Sequence, residues 1–151
     1  MVSKIPDNSS IVVENELSAI GEISKQLISK LEDYDFSKED VFAVKLALQE
    51  AFLNAAIHGN KMISEKKIRI GYSIEPNKVE INLMDEGEGF DPDLVPDPRI
   101  GENLYKPAGR GLFLMRSYMD EVEFNEQGNG IRMVRYKEKP ALREGQEQVK
   151  A

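Results

Sequence analysis

Glu50 and Asn54 stand one helical turn apart in the segment Val41–Ile57, whose other polar members are only Lys45 and Gln49. At about 100° per residue, a helix puts Lys45 and Gln49 within about 40° of each other as a solvent stripe. Glu50 and Asn54 then fall about 100° or more around the axis, in an otherwise apolar sector. A carboxylate and a carboxamide buried there without partners would be costly, so they line a pocket, bind a metal or pair inside the core. His58 continues the row at the helix end, where a capping or packing role is expected rather than a catalytic one.

Asp85 keeps the strand parity of Val79, Ile81 and Leu83, and Gly87 and Gly89 follow at once in Asp85-Glu-Gly-Glu-Gly-Phe90. A carboxylate turned toward an apolar face, beside backbone without side chains, suits a flat ligand that donates a hydrogen bond. The alternative is an ordinary acidic turn, to which Glu86, Glu88 and Asp91 belong as solvated charges. Gly109-Arg110-Gly111 precedes a predicted helix, whose free N–H groups and dipole favour an anion, although a tight turn has the same form. No Gly-Lys-Ser/Thr phosphate loop and no Gly-x-Gly-x-x-Gly spacing is present. One nucleotide accounts for the whole series: Asp85 at the base, Asn54 at a magnesium ion, a lid between them, and the last helix at the phosphates.

The elements that carry these residues follow from periodicity. Ile11, Val12 and Val13 suit a strand within Ser9–Glu14. Leu17, Ile20, Ile23, Leu27, Ile28 and Leu31 fall within an arc of about 140° and predict an amphipathic helix over Glu16–Leu31. Ser37 and Asp40 read as an N-cap with an acidic first turn, so a second helix runs from Lys38 to His58 and ends at Gly59-Asn60. Lys67–Glu75 and the strand of Val79, Ile81 and Leu83 form a hairpin turning at Pro76-Asn77. Asp85–Arg110 has no periodicity and holds four of the seven prolines, which marks a long loop expected to be functional or mobile. Leu112–Met119 reads as a short helix, and Val122, Phe124 and Ile131–Tyr136 as a last hairpin around Gly128-Asn129-Gly130. This order predicts an α+β fold: a two-layer α/β sandwich with a mixed, mostly antiparallel sheet. Residues 1–8 are expected to be an extension, 9–137 the domain and 138–151 a loose tail.

Composition narrows the chemistry. The 151 residues include no cysteine and one histidine, which excludes disulfides, a thiol nucleophile, thiolate metal sites and histidine-rich metal sites. Lys and Arg total 20 against 27 Asp and Glu, a net charge of −7, so direct nucleic-acid binding is not expected. No apolar run approaches the roughly 18 residues that span a bilayer. The first ten residues carry no export pattern, so a soluble, cytoplasmic protein is expected, without membrane partners.

The ordered motifs resemble those of the GHKL (histidine kinase-like) ATPase superfamily, the Bergerat fold of histidine-kinase catalytic domains, gyrase, Hsp90 and MutL. Glu50-Ala-Phe-Leu-Asn54-Ala-Ala-Ile-His58-Gly is similar to its N-box, Asp85-Glu-Gly87-Glu-Gly89-Phe to its first glycine box and Gly109-Arg-Gly111-Leu-Phe-Leu-Met to its second. Within it, the chain most resembles the single-domain anti-sigma-factor serine/threonine-protein kinases of the RsbW type. That resemblance implies ATP and Mg²⁺ as cofactors and phosphorylation of a serine on an anti-anti-sigma (STAS-domain) partner. It also implies sequestration of a sigma factor and a possible homodimer; a non-catalytic, ATP-dependent partner-switching module is the alternative. Glu50 resembles the general base, Asn54 the magnesium ligand and Asp85 the carboxylate that recognises the adenine amino group. Gly87 and Gly89 would shape the base pocket, and Gly109, Arg110, Gly111 and Leu112 would close over the phosphates. Gly130-Ile131 replaces the usual Gly-Thr pair, and Lys106 or Arg110 would supply the cation at the terminal phosphate.

Overall fold

Strict alternation of apolar side chains in two neighbouring segments builds the centre of the sheet. Ile68, Ile70, Tyr72 and Ile74 are buried on one side of β2 (Lys67–Glu75), as are Val79, Ile81 and Leu83 on β3 (Lys78–Met84). The computed structural model describes residues 7–88 and 110–137. Around this hairpin stand β1 (Asp7–Glu14), β4 (Glu121–Phe124) and β5 (Gly130–Tyr136), in the order β1-β2-β3-β5-β4. Every described pairing is antiparallel, so the expected mixed component is not seen among these residues. β1 begins at Asp7, two residues before the expected start of the strand, because Asp7 and Asn8 continue its register opposite Ile74 and Ser73.

Among the described residues, three α-helices cover the apolar face: α1 (Ala19–Asp33), α2 (Lys38–Leu53) and α3 (Arg110–Tyr118). α1 starts three residues later than the periodicity predicts. Leu17 is 43% exposed, and Ile23, Leu27 and Leu31 carry the buried stripe. α1 closes with Asp35 in the left-handed region (φ 63°) and with bonds from Asp35 N–H to the Glu32 carbonyl and from Phe36 N–H to the Leu31 carbonyl. This is a Schellman ending, with Leu31 and Phe36 at the positions whose apolar side chains usually meet, both buried in the core. Ser37 Oγ accepts the Asp40 N–H at 3.0 Å, so the predicted cap holds.

α2 lies between α1 and α3 on the sheet. That position explains why it is apolar around most of its circumference, with Val44, Ala47, Leu48, Ala51 and Phe52 buried. Lys45 is exposed as expected, while Gln49 is half-buried. The expected continuation to His58 is helical but not α-helical: Asn54–Gly59 is a π-helix that ends with the Asn60 N–H on the Ala55 carbonyl at 2.7 Å. Lys61 and Met62 then both adopt left-handed backbone (φ 53° and 59°).

One ion pair fixes how α2 and α3 meet. Arg135, on the helix-facing side of β5, donates from Nε to Asp40 Oδ1 at 2.8 Å and from Nη1 to the Tyr118 carbonyl at 2.6 Å. Asp40 is fully buried in the first turn of α2, and Tyr118 is the last residue of α3. The start of one helix therefore sits beside the end of the other, and the two run antiparallel. Removing one partner strands a buried charge, so Arg135→Ala should lower the unfolding free energy by about 3 kcal/mol in urea titration. The double variant Asp40→Leu with Arg135→Met should recover most of that loss. Additive losses in the double variant would contradict this account of the pair.

Candidate active site

The antiparallel arrangement brings the far end of α2 to the beginning of α3. Glu50 and Asn54 are both half-buried there, and Gly111 lies against them. A Cβ at Gly111 would stand 2.8 Å from Glu50 Oε1 and 3.4 Å from Asn54 Oδ1, so a glycine is what lets α3 come this close. The two side chains expected to share a sector thus converge on one point at a helix N-terminus. Neither makes a side-chain hydrogen bond among the described residues, so they are not a polar pair satisfied within the core. Desolvation pushes the Glu50 carboxyl above its ordinary pKa of 4.5, which makes it a better proton acceptor than a solvated carboxylate.

Asp85 follows the end of β3, half-buried as strand parity predicts. Its Oδ1 accepts the Gly87 N–H at 2.7 Å, and Oδ2 carries no donor among the described residues. Burial pushes its pKa above 3.8, partly offset by the Gly87 N–H and by the charge of Lys66. Glycine backbone packs closely around it. A Cβ at Gly59 would lie 2.3 Å from Asp85 Oδ2, and one at Gly87 would lie 2.1 Å from the Gly59 carbonyl oxygen. Gly59 therefore belongs to this site, although the sequence presents it as a helix terminator. Its signal was the pairing of that glycine with an acidic strand end, which no local spacing reveals.

Other expected residues are placed less centrally. Arg110 is exposed as the first residue of α3. Leu112 turns its side chain into the core at 6% exposed, so what it offers an anion is its N–H, one of the first four of α3. His58 is exposed in the last turn of the π-helix, a position that suits the expected capping role better than a packing one. Glu86 is exposed, yet it is more than a solvated charge: its Oε1 accepts the Lys67 N–H at 3.2 Å. Gly89, Lys106, Gly109 and the expected lid lie outside the described residues, as do Asp91 and the tail from residue 138.

The residues present suit a magnesium ion held largely by a ligand. Among the described residues no group of three or more acidic or histidine side chains could hold a metal alone. A carboxamide without a partner among the described residues, beside a carboxylate, matches Mg²⁺, which is commonly bound by one or two protein oxygens, phosphates and water.

The family model described as the histidine kinase-like ATPase domain matches residues 13–135. The chain is 34% identical over 122 residues to the serine-protein kinase RsbW of Staphylococcus epidermidis, covering 75% of this chain and 76% of that one. It is 33% identical over 108 residues to the RsbW of Oceanobacillus iheyensis, covering 67% and 68% of the two chains. A crystal structure of the RsbU and RsbW domains of a Mycobacterium tuberculosis protein superposes with a TM-score of 0.60 at 16% identity. That match takes in 88% of this chain and 33% of the longer one. The chain belongs to the histidine kinase-like ATPase family, alongside relatives named serine-protein kinase RsbW. No helix among the described residues is long and apolar enough to cross a membrane.

The glycine contacts order two substitutions. Gly87→Ala meets backbone, which cannot yield without moving the π-helix, so it should lower both stability and nucleotide affinity. Gly111→Ala meets the far end of Glu50, which can swing away, so its stability should stay within about 1 kcal/mol of wild type. Urea unfolding measures this, and equal costs for the two would contradict the geometry.

Proposed function

We propose that the chain is an ATP-dependent protein-serine kinase that phosphorylates a STAS-type anti-anti-sigma partner and, in its nucleotide-bound form, sequesters a sigma factor. The observation that carries the reading is Glu50, a half-buried carboxylate with no hydrogen-bond partner among the described residues, held one turn from Asn54 and against Gly111. Nucleotide binding alone does not call for a proton acceptor at that place. Names of the relatives support the kinase reading.

In this reading Asp85 Oδ2 accepts a hydrogen bond from the adenine amino group, and the close-packed Gly59 and Gly87 backbones hold the carboxylate in place. The N–H groups of Gly111 and Leu112 and the positive end of α3 hold phosphate oxygens, with Arg110 beside them. Asn54 would hold Mg²⁺, which when bound supplies neutralisation of the phosphate charge. The partner's serine oxygen forms a bond to the terminal phosphorus while the bond to the bridging oxygen breaks, with ADP leaving. The serine proton passes to a Glu50 carboxylate oxygen.

The state of Glu50 gives the test its sign. Burial raises its pKa, so the folded protein holds that proton more tightly than the unfolded chain does. Its contribution to stability is complete below 4.5 and is lost as the pH rises through the raised folded value, whereas catalysis needs the ionised form. Glu50→Gln should therefore be more stable than wild type above that window and not below it. It should lower phosphoserine formation on the purified partner by about 10²-fold or more, and the wild-type rate should climb with pH across the same window. Undiminished phosphotransfer by Glu50→Gln would remove the assignment.

A further inference from the structure

Asn60 is fully buried, and nothing in the proposed chemistry uses it. A carboxamide in a core is tolerated only with its hydrogen bonds made, and here each is made to a different part of the chain. Nδ2 donates to the Lys67 carbonyl at 3.0 Å and to Asn15 Oδ1 at 3.2 Å, and Oδ1 accepts the Glu86 N–H at 2.8 Å. Asn15, itself 3% exposed, donates from Nδ2 to the Ile63 carbonyl at 3.1 Å. One side chain thus ties the end of β1, the start of β2 and the turn after β3.

The bond to Glu86 bears on the site directly. The peptide between Asp85 and Glu86 is gripped on both sides: its N–H by Asn60 and its carbonyl by Asn129 Nδ2 at 3.3 Å. The Asp85 N–H is held by the Asn129 carbonyl at 2.9 Å. Turning that peptide would carry the Gly87 N–H away from Asp85 Oδ1 and release the carboxylate. The segment that delivers Asn60 is also strained, since Lys61 and Met62 are both left-handed, each costing about 1 kcal/mol. Strain kept beside a site in this way is held there by the surrounding bonds.

We infer that Asn60 is a positioning residue for the base end of the nucleotide site, fixing the Asp85–Glu86 peptide so that the Asp85 carboxylate is aimed before a ligand arrives. The inference rests on the reading of Asp85 as the base-recognising group and deepens it.

Equilibrium dialysis of ADP and ATP against the full chain, paired with urea unfolding, tests it with wild type, Asn60→Ala and Asn15→Ala. Asn15→Ala should lose stability and keep both affinities, because the Glu86 and Lys67 bonds to Asn60 remain. Asn60→Ala should weaken ADP and ATP by the same factor, about tenfold, since the loss lies at the end the two ligands share. Unchanged affinities in Asn60→Ala, with stability reduced, would overturn the inference and leave the base site standing. Absence of nucleotide binding in folded wild type would overturn the reading of Asp85 itself, and the inference with it. If Asn60→Ala does not fold, amide exchange in nucleotide-free wild type decides. The Glu86 N–H, on an exposed residue but bonded to a buried oxygen, should exchange slowly, and exchange at the rate of an open chain would overturn the inference.

Discussion

How closely α3 can approach α2 governs everything else in this molecule. At one end the approach is set by Arg135, which joins a buried aspartate on α2 to the last carbonyl of α3. At the other end Gly111, with no side chain, leaves room for Glu50 and Asn54 to lie against the start of α3. Between these points the two helices pack over the sheet through Leu48, Phe52 and Met115, all with 0–1% exposure. The core thereby fixes the spacing of the polar groups, and the polar groups need no bonds to one another to stay in place.

That arrangement has a cost. Glu50 and Asp85 are partly withdrawn from water without an ion pair among the described residues, and burial raises the pKa of each. Both would be less expensive as neutral residues. Retaining charge at such positions makes physical sense where a ligand completes the environment, by donating a hydrogen bond at Asp85 and by bringing a cation and a proton donor near Glu50. Surface charges behave otherwise: Arg132 bridges Glu80, Glu121 and Glu123 on the open face of the sheet, at the surface, where such pairs contribute little.

Much of this was legible in the chain because it is local. The Ser37 cap, the β2–β3 hairpin and the parity of Asp85 each follow from residues a few positions apart. So does the convergence of Glu50 and Asn54, one turn apart on an apolar helix. What escaped was set by distance. Asp40 reads as an ordinary acidic first-turn residue, and only the fold shows it buried against a guanidinium 95 positions away. Gly59 and Asn60 read as a helix ending, and Asn60 does follow one. Their packing on Asp85 and their bonds to Asn15, Lys67 and Glu86 depend on three separate strands meeting. The π-helix escaped as well: apolar periodicity predicts a helix through Asn54–Gly59 but not its wider turn, which leads directly into Asn60.

The central claim is that the chain binds an adenine nucleotide through Asp85. Calorimetric titration of ATP and ADP with Mg²⁺ into wild type and Asp85→Asn addresses it most directly. The account predicts saturable binding of both nucleotides to wild type and its loss in Asp85→Asn, with the fold retained. Equal binding by the two proteins, or none by folded wild type, would contradict it.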